Sequence, residues 1–256
     1  MAASDRFSIQ DKNVLIIGGT SGIGGQIALG FAEVGATVIP VSRTQSKVDA
    51  TVDAILSGGG KARGYTADVN HTKTIVDLVE RVENEVGSID VLINSQGIIK
   101  LSAVEEFEEK DFDGIVDTNL KSVFFASIEV GKRMLERGSG AIINIASASS
   151  YRGWARAAVY SITKWGVVSL TETMASEWGS RGVRVNAIAP GFFMTELNQK
   201  RMSPERKANV IRRTPMGRFG KLDELVGAAV YLASPASGFV NGETIRVDGG
   251  YLASGI

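Results

Sequence analysis

The sequence predicts a single doubly wound α/β domain, a parallel sheet with helices on both faces, and three observations carry that expectation. Short apolar, β-rich runs alternate with longer helical stretches along the chain. The runs are apolar at successive positions, as strands covered on both faces must be. No linker or low-complexity segment divides the 256 residues, which are enough to bury a sizeable core. In order, residues 14–17 read as a buried strand that ends on a glycine cluster, and 23–34 as a helix. Residues 37–41 form a second strand and 47–56 a second helix, followed by a strand over 62–66 and a helix over 72–86. A fourth strand covers 89–93, and a long helix runs over about 110–136. Strands over 141–145, 183–188 and 244–247 complete the set, with helices over 155–178 and 223–232 between them. The least regular region, 196–218, carries Lys200, Arg201, Arg206, Lys207, Arg212, Arg213 and Arg218. It reads either as a solvated helical insertion or as a lid over a substrate, an anionic one included.

Composition narrows the chemistry. Lys plus Arg (28) equals Asp plus Glu (28), so no overall field favours nucleic acid or an anionic membrane. The chain has no cysteine, which removes disulfides, thiolate metal sites and a Cys nucleophile, and its single histidine, His71, cannot build a metal site alone. With no run of about 18 apolar residues and no signal-like start, the expectation is a soluble cytoplasmic protein that uses no metal.

Gly18-Gly19-Thr20-Ser21-Gly22-Ile23-Gly24 lies between the first strand and the first helix. Such a turn lets backbone approach a pyrophosphate, whose charge meets the helix N-terminal N–H groups. Gly18 frees the turn, Gly22 allows close approach and Gly24 permits tight helix packing, whereas Gly58-Gly59-Gly60 reads as a plain turn. At the end of the second strand stands Ser42-Arg43, where a carboxylate would select NAD(H). A guanidinium there favours NADP(H), with NAD(H) kept as the alternative. The plain reading of Arg43 is a surface residue at a strand end.

Tyr160 and Lys164 are four apart on an expected helix and so share one face. A lysine charge beside a tyrosine favours the phenolate and moves it towards acid/base work. The spacing alone is weak evidence. Ser147, just past the strand over 141–145, stands where open α/β sheets bind ligands and could hydrogen-bond a substrate oxygen; it could equally cap a turn.

Together these motifs resemble the short-chain dehydrogenase/reductase family. The likeness runs from Val14 to about Tyr251 and includes Asp68-Val69, Asn94, Asp117-Thr118-Asn119, Asn186, Pro190-Gly191 and Val247-Asp248-Gly249-Gly250. It implies one Rossmann-like domain with a seven-stranded parallel sheet, assembled as a homotetramer or homodimer. It implies that Tyr160 is the general acid in reduction and the base in oxidation, and that Lys164 holds the nicotinamide ribose and lowers the Tyr160 pKa. Ser147 would orient the carbonyl, and Asn119 would anchor a relay water. The cofactor would lie against Gly18, Thr20, Ser21, Gly22, Ile23, Gly24, Ser42, Arg43, Asp68, Val69, Asn94 and Gly97. Beyond these it would meet Tyr160, Lys164, Pro190, Gly191, Phe193 and Thr195. Two positions depart from the family pattern: Ile17 stands where threonine is usual, and Asn94-Ser95-Gln96-Gly97 replaces Asn-Asn-Ala-Gly. Gln96 therefore bears on the fine geometry of the site.

For the substrate, Ser149, Arg152 and Trp154 are candidates, and aromatics with arginines suit a sugar acid, a polyol or another hydroxylated carbonyl compound. Trp154 at a subunit interface is the equally plain reading. The stretch from Pro190 to Leu197 is similar to that of gluconate 5-dehydrogenase-type members. A 3-oxoacyl-[acyl-carrier-protein] reductase shares the catalytic set, although Ala175-Ser176-Glu177-Trp178 lacks the usual basic docking residue. A reading of another class is a non-catalytic NADP(H)-binding regulator.

Overall fold

Successive side chains of a strand point to opposite faces, so an all-apolar strand needs cover on both. In the computed structural model, which describes residues 4–254, β1 (Asn13–Ile17) does this: Val14 and Ile16 face one core layer, and Leu15 and Ile17 the other. Each such fully buried side chain contributes roughly 1.5–3 kcal/mol relative to exposure.

The remaining elements follow the alternation. They are α1 (Gly22–Glu33), β2 (Thr37–Ser42), α2 (Gln45–Ser57), β3 (Lys61–Ala62), β4 (Tyr65–Thr66), α3 (Thr72–Glu85) and β5 (Val91–Asn94). Then come α4 (Glu109–Val116), α5 (Ser122–Arg137), β6 (Gly140–Ile145), α6 (Ala158–Trp178) and β7 (Val183–Pro190). Last are α7 (Glu196–Arg201), α8 (Pro204–Arg213), α9 (Val226–Ala233) and β8 (Thr244–Val247). Every pairing is parallel, in the order β3-β2-β1-β5-β6-β7-β8, with β4 also on β2. Helices α1 and α9 cover one face with Ile27, Phe31, Ala229 and Leu232, while α3 and α5 cover the other with Leu78, Val82, Val130 and Met134. The order reverses at β1, whose neighbours are β2 and β5, and this opens a crevice beyond the strands' C-terminal ends.

Three elements differ from expectation. The strand expected over 62–66 is broken at Arg63-Gly64, where Gly64 slides under α2 so closely that a Cβ would meet Val48 Cγ1 at 2.2 Å. The two halves still pair with β2, so the sheet keeps seven positions. The long helix expected over 110–136 holds a π-helical turn at Asp117–Lys121. Helix α6 starts at Ala158 rather than 155, because Arg156 takes a left-handed φ of 67° that no right-handed helix tolerates.

The 196–218 region is helical. Thr195 caps α7 by accepting from Asn198 N at 3.1 Å, and Ser203 caps α8 by accepting from Arg206 N at 3.2 Å, with Pro204 in the first turn. Among the described residues no helix is long and apolar enough to cross a membrane, and no His, Asp or Glu cluster could hold a metal.

Candidate active site

Close backbone approach sets the glycine loop. Gly18 adopts φ 77° and donates its N–H to Val41 O at 2.9 Å, tying the loop to β2. A Cβ on Gly24 would sit 2.3 Å from Gly18 O, so α1 could not start so near the turn with any other residue. Gly22 adopts φ 53°, and a Cβ there would point at Thr195 Cγ2, 3.7 Å away across the cleft. The Ser21 side chain makes no cap bond, leaving the first N–H groups of α1 without a side-chain partner. A cradle that a Cβ would crowd, at the positive end of a helix, fits the pyrophosphate of a dinucleotide. Thr20 and Ile23 are half-buried at the loop's sides.

The C-terminal edge of β2 brings Ser42 and Arg43 to one flank. The Ser42 hydroxyl and Thr44 backbone bond each other at 3.3 Å, and Arg43 is exposed with no ion pair among the described residues. Beyond β4, Asp68 accepts from Asn70 N at 3.2 Å and Val69 is buried, so Asp68 also does the work of a turn residue.

At the end of β5, Asn94 anchors a buried polar chain. Its Nδ2 donates to Ser127 Oγ (3.0 Å) and to Asn144 Oδ1 (2.9 Å), and Asn144 Nδ2 donates on to Thr171 Oγ1 (3.0 Å). Gln96 joins this chain by donating to Ser122 Oγ at 3.0 Å, just past the π turn, while its Oε1 is buried without a partner. The longer side chain at the departing position thus links the 95–98 loop to α5.

The π turn aims Asn119 inward, where it is fully buried. Its amide is consumed by Ile98, donating to the carbonyl (2.9 Å) and accepting from the N–H (2.8 Å), with Thr163 Oγ1 at 3.3 Å. This pins the loop carrying Gly97, where a Cβ would lie 3.5 Å from Lys164 Nζ and 3.6 Å from Asn119 Oδ1.

Ser147, Tyr160 and Lys164 meet at the end of β6. Ser147 caps the following turn, accepting from Ser149 N at 3.1 Å, and its side chain draws the Tyr160 pKa downward. The bond from Ser149 N is the turn-capping reading of Ser147. Lys164 Nζ donates to Ile145 O at 2.7 Å and lies 5.9 Å from the centre of the Tyr160 ring. The electrostatics differ from expectation. Burial pushes the Tyr160 phenol above its ordinary value, opposed by the Ser147 side chain. Burial also pushes the Lys164 ammonium down to about 8. Desolvation disfavours charge on both groups and sets the direction of both shifts.

Thr195 faces the glycine loop, while Pro190 and Gly191 stand at the end of β7. The ring of Phe193 instead turns into the core, where a Cβ on Gly220 would touch it at 2.4 Å, so only its backbone remains for the cleft. Arg152 is exposed, whereas Ser149 is fully buried. Trp154 stacks on Phe192, with centroids 4.9 Å apart and planes at 10°, and Phe192 meets Tyr251 edge-on at 5.2 Å. Sequence reasoning placed residues 191–193 at the substrate's edge but missed the ladder that Phe192 forms with Trp154 and Tyr251, because three loops distant in sequence build it and no spacing signals it.

Residues 18–252 match a family model described as enoyl-(acyl carrier protein) reductase. The chain is 39% identical to gluconate 5-dehydrogenase of Gluconobacter oxydans over 255 residues, covering 99% of this chain and 100% of that one. It is 39% identical to 2-dehydro-3-deoxy-D-gluconate 5-dehydrogenase of Escherichia coli, covering 96% of this chain and 98% of the relative. Among solved structures, a gluconate 5-dehydrogenase from Burkholderia cenocepacia in complex with NADP and tartrate superposes with a TM-score of 0.96. That match is at 37% identity, over 99% of this chain and 100% of the other.

Proposed function

Because the chain belongs to the short-chain dehydrogenase/reductase family, we propose that it transfers hydride between NADP(H) and the carbonyl or alcohol of a sugar acid or polyol. The observation that carries this reading is the convergence of Ser147, Tyr160 and Lys164 at the end of β6, beside the glycine cradle. NADP(H), when bound, supplies or accepts the hydride. The chain's own residues do the rest. Ser147 and Tyr160 would both reach the substrate oxygen. Tyr160 would give its proton to that oxygen in reduction and take one in oxidation. Burial favours the neutral, proton-bearing phenol. Lys164 would hold the nicotinamide ribose, and Asn119, by fixing Gly97 and Ile98, would shape the relay beside it.

The pyrophosphate would lie over Gly18 to Gly24, the adenine beside Asp68 and Val69, and the nicotinamide end against Asn94, Gly97 and the backbone from Pro190 to Thr195. Arg43 would pair with a ribose 2′-phosphate, which favours NADP(H) over NAD(H). Ser149, Arg152 and Trp154 would meet the substrate, and the basic α7–α8 segment would close over it. A homotetramer or homodimer is supported by the exposed apolar side chains Phe112, Phe124, Ile162 and Trp165 on α4, α5 and α6. A cytoplasmic setting and the absence of membrane or nucleic-acid partners fit the balanced charge.

The test is a pair of assays, D-gluconate with NADP+ and 5-keto-D-gluconate with NADPH, run beside a 3-oxoacyl thioester. Turnover of the sugar acids is expected. Activity on the thioester with none on either sugar acid would replace this reading with the acyl reductase one.

A further inference from the structure

Two polar atoms on the loop between Ser147 and Tyr160 are buried with no hydrogen-bond partner, Ser149 Oγ and Trp154 Nε1. A buried donor left unmade costs about 1–3 kcal/mol, so each such group calls for a reason. The Ser149 hydroxyl is small and can turn towards a neighbour, but an indole N–H is fixed in direction by its ring. Trp154 is held in place by its parallel stack on Phe192, which covers one face of the indole. Phe192 itself belongs to the segment leading from β7 to α7, and Tyr251 supports its edge from the C-terminal turn. Behind Phe192 lies a cavity of about 100 Å³, lined also by Phe193, Met216, Arg218 and Val247.

We propose that Trp154 determines specificity. Its indole N–H donates to a hydroxyl or carboxylate oxygen of a polyhydroxylated substrate. This rests on the sugar-acid reading above and deepens it. A plain ketone offers no oxygen beyond the one held by Ser147 and Tyr160, so it leaves the donor orphaned. A sugar acid satisfies it. Sites that hydrogen-bond a substrate hydroxyl discriminate strongly against analogues lacking it, because the unmatched polar group stays buried.

The experiment is Trp154→Phe, which keeps an aromatic ring for the stack and removes the N–H together with the rest of the indole's five-membered ring. With 5-keto-D-gluconate and NADPH, KM rises about tenfold while kcat changes by less than about twofold. Unchanged KM overturns the inference, as does a fall in kcat with KM unmoved, which would mark a purely packing role. If the wild type turns over no sugar acid, the substrate reading fails and this inference goes with it. If the wild type is active and the variant equals it, only this inference fails. Should the variant not fold, the wild type still decides through its three indole N–H resonances. The Trp154 signal is assigned by eliminating the other two in Trp165→Phe and Trp178→Phe. It moves when D-gluconate is added to the NADPH-loaded protein, and a signal that stays put at saturation overturns the proposal.

Discussion

Arg43 is the residue on which cofactor choice turns, since it stands exposed just past the end of β2 with no ion pair among the described residues. A charge-assisted pair with a 2′-phosphate is worth roughly 1.5–3 kcal/mol, or about tenfold or more in affinity. In fluorescence titrations the wild type should bind NADPH at least about tenfold more tightly than NADH, and Arg43→Ala should erase the difference. Equal affinities in the wild type would make Arg43 a plain surface residue. At this scale the sequence was most legible where chemistry follows from residue type and spacing. The four-residue interval of Tyr160 and Lys164 did place them together. The pKa direction of Tyr160 was not legible, because it follows from burial, which depends on what packs around the ring. Gln96 was legible as a departure but not as a bridge to Ser122, a contact between positions 26 apart.

At the scale of elements, alternation of apolar runs and helices located each strand, and local backbone accidents moved the edges. The Arg156 φ delayed α6, Gly64 split a strand, and the π turn that aims Asn119 inward left no mark in the hydrophobic pattern. Such turns recur at functional sites, since the extra residue re-aims a side chain. The α7–α8 segment follows β7, on one side of β6 and Ser147, and residues 196–218 carry seven basic residues against two acidic ones. That local charge, in a chain of zero net charge, should draw anionic substrates towards the cleft. At saturating cofactor, raising salt from about 50 to about 500 mM shortens the screening length from roughly 14 to 4 Å. kcat/KM for a sugar acid should then fall severalfold while that for a neutral polyol barely moves. An equal response of both would mean that the segment is only a solvated insertion.

For the whole molecule, one topological fact places the chemistry. The sheet reverses its order at β1, and all strands point the same way, so every loop that carries a candidate residue emerges on one edge. Glycines from β1, Arg43 from β2, Asn94 from β5, Ser147 from β6 and Thr195 beyond β7 converge there without any of them being near in sequence. Strand count, parallel sense and two-sided cover followed from the apolar pattern, whereas the aromatic ladder of Trp154, Phe192 and Tyr251 came only from how loops pack. The central claim is that this edge moves a proton through Tyr160 while the cradle holds NADP(H). The most direct measurement is NADPH oxidation with 5-keto-D-gluconate by the wild type and by Tyr160→Phe, alongside NADPH binding to both. Loss of at least about a thousandfold in kcat with binding kept within a few fold is the predicted result, within the range that general acid catalysis supplies. Turnover surviving in the variant, or a physiological role that persists without it, would contradict the account and leave a cofactor-binding regulator in its place.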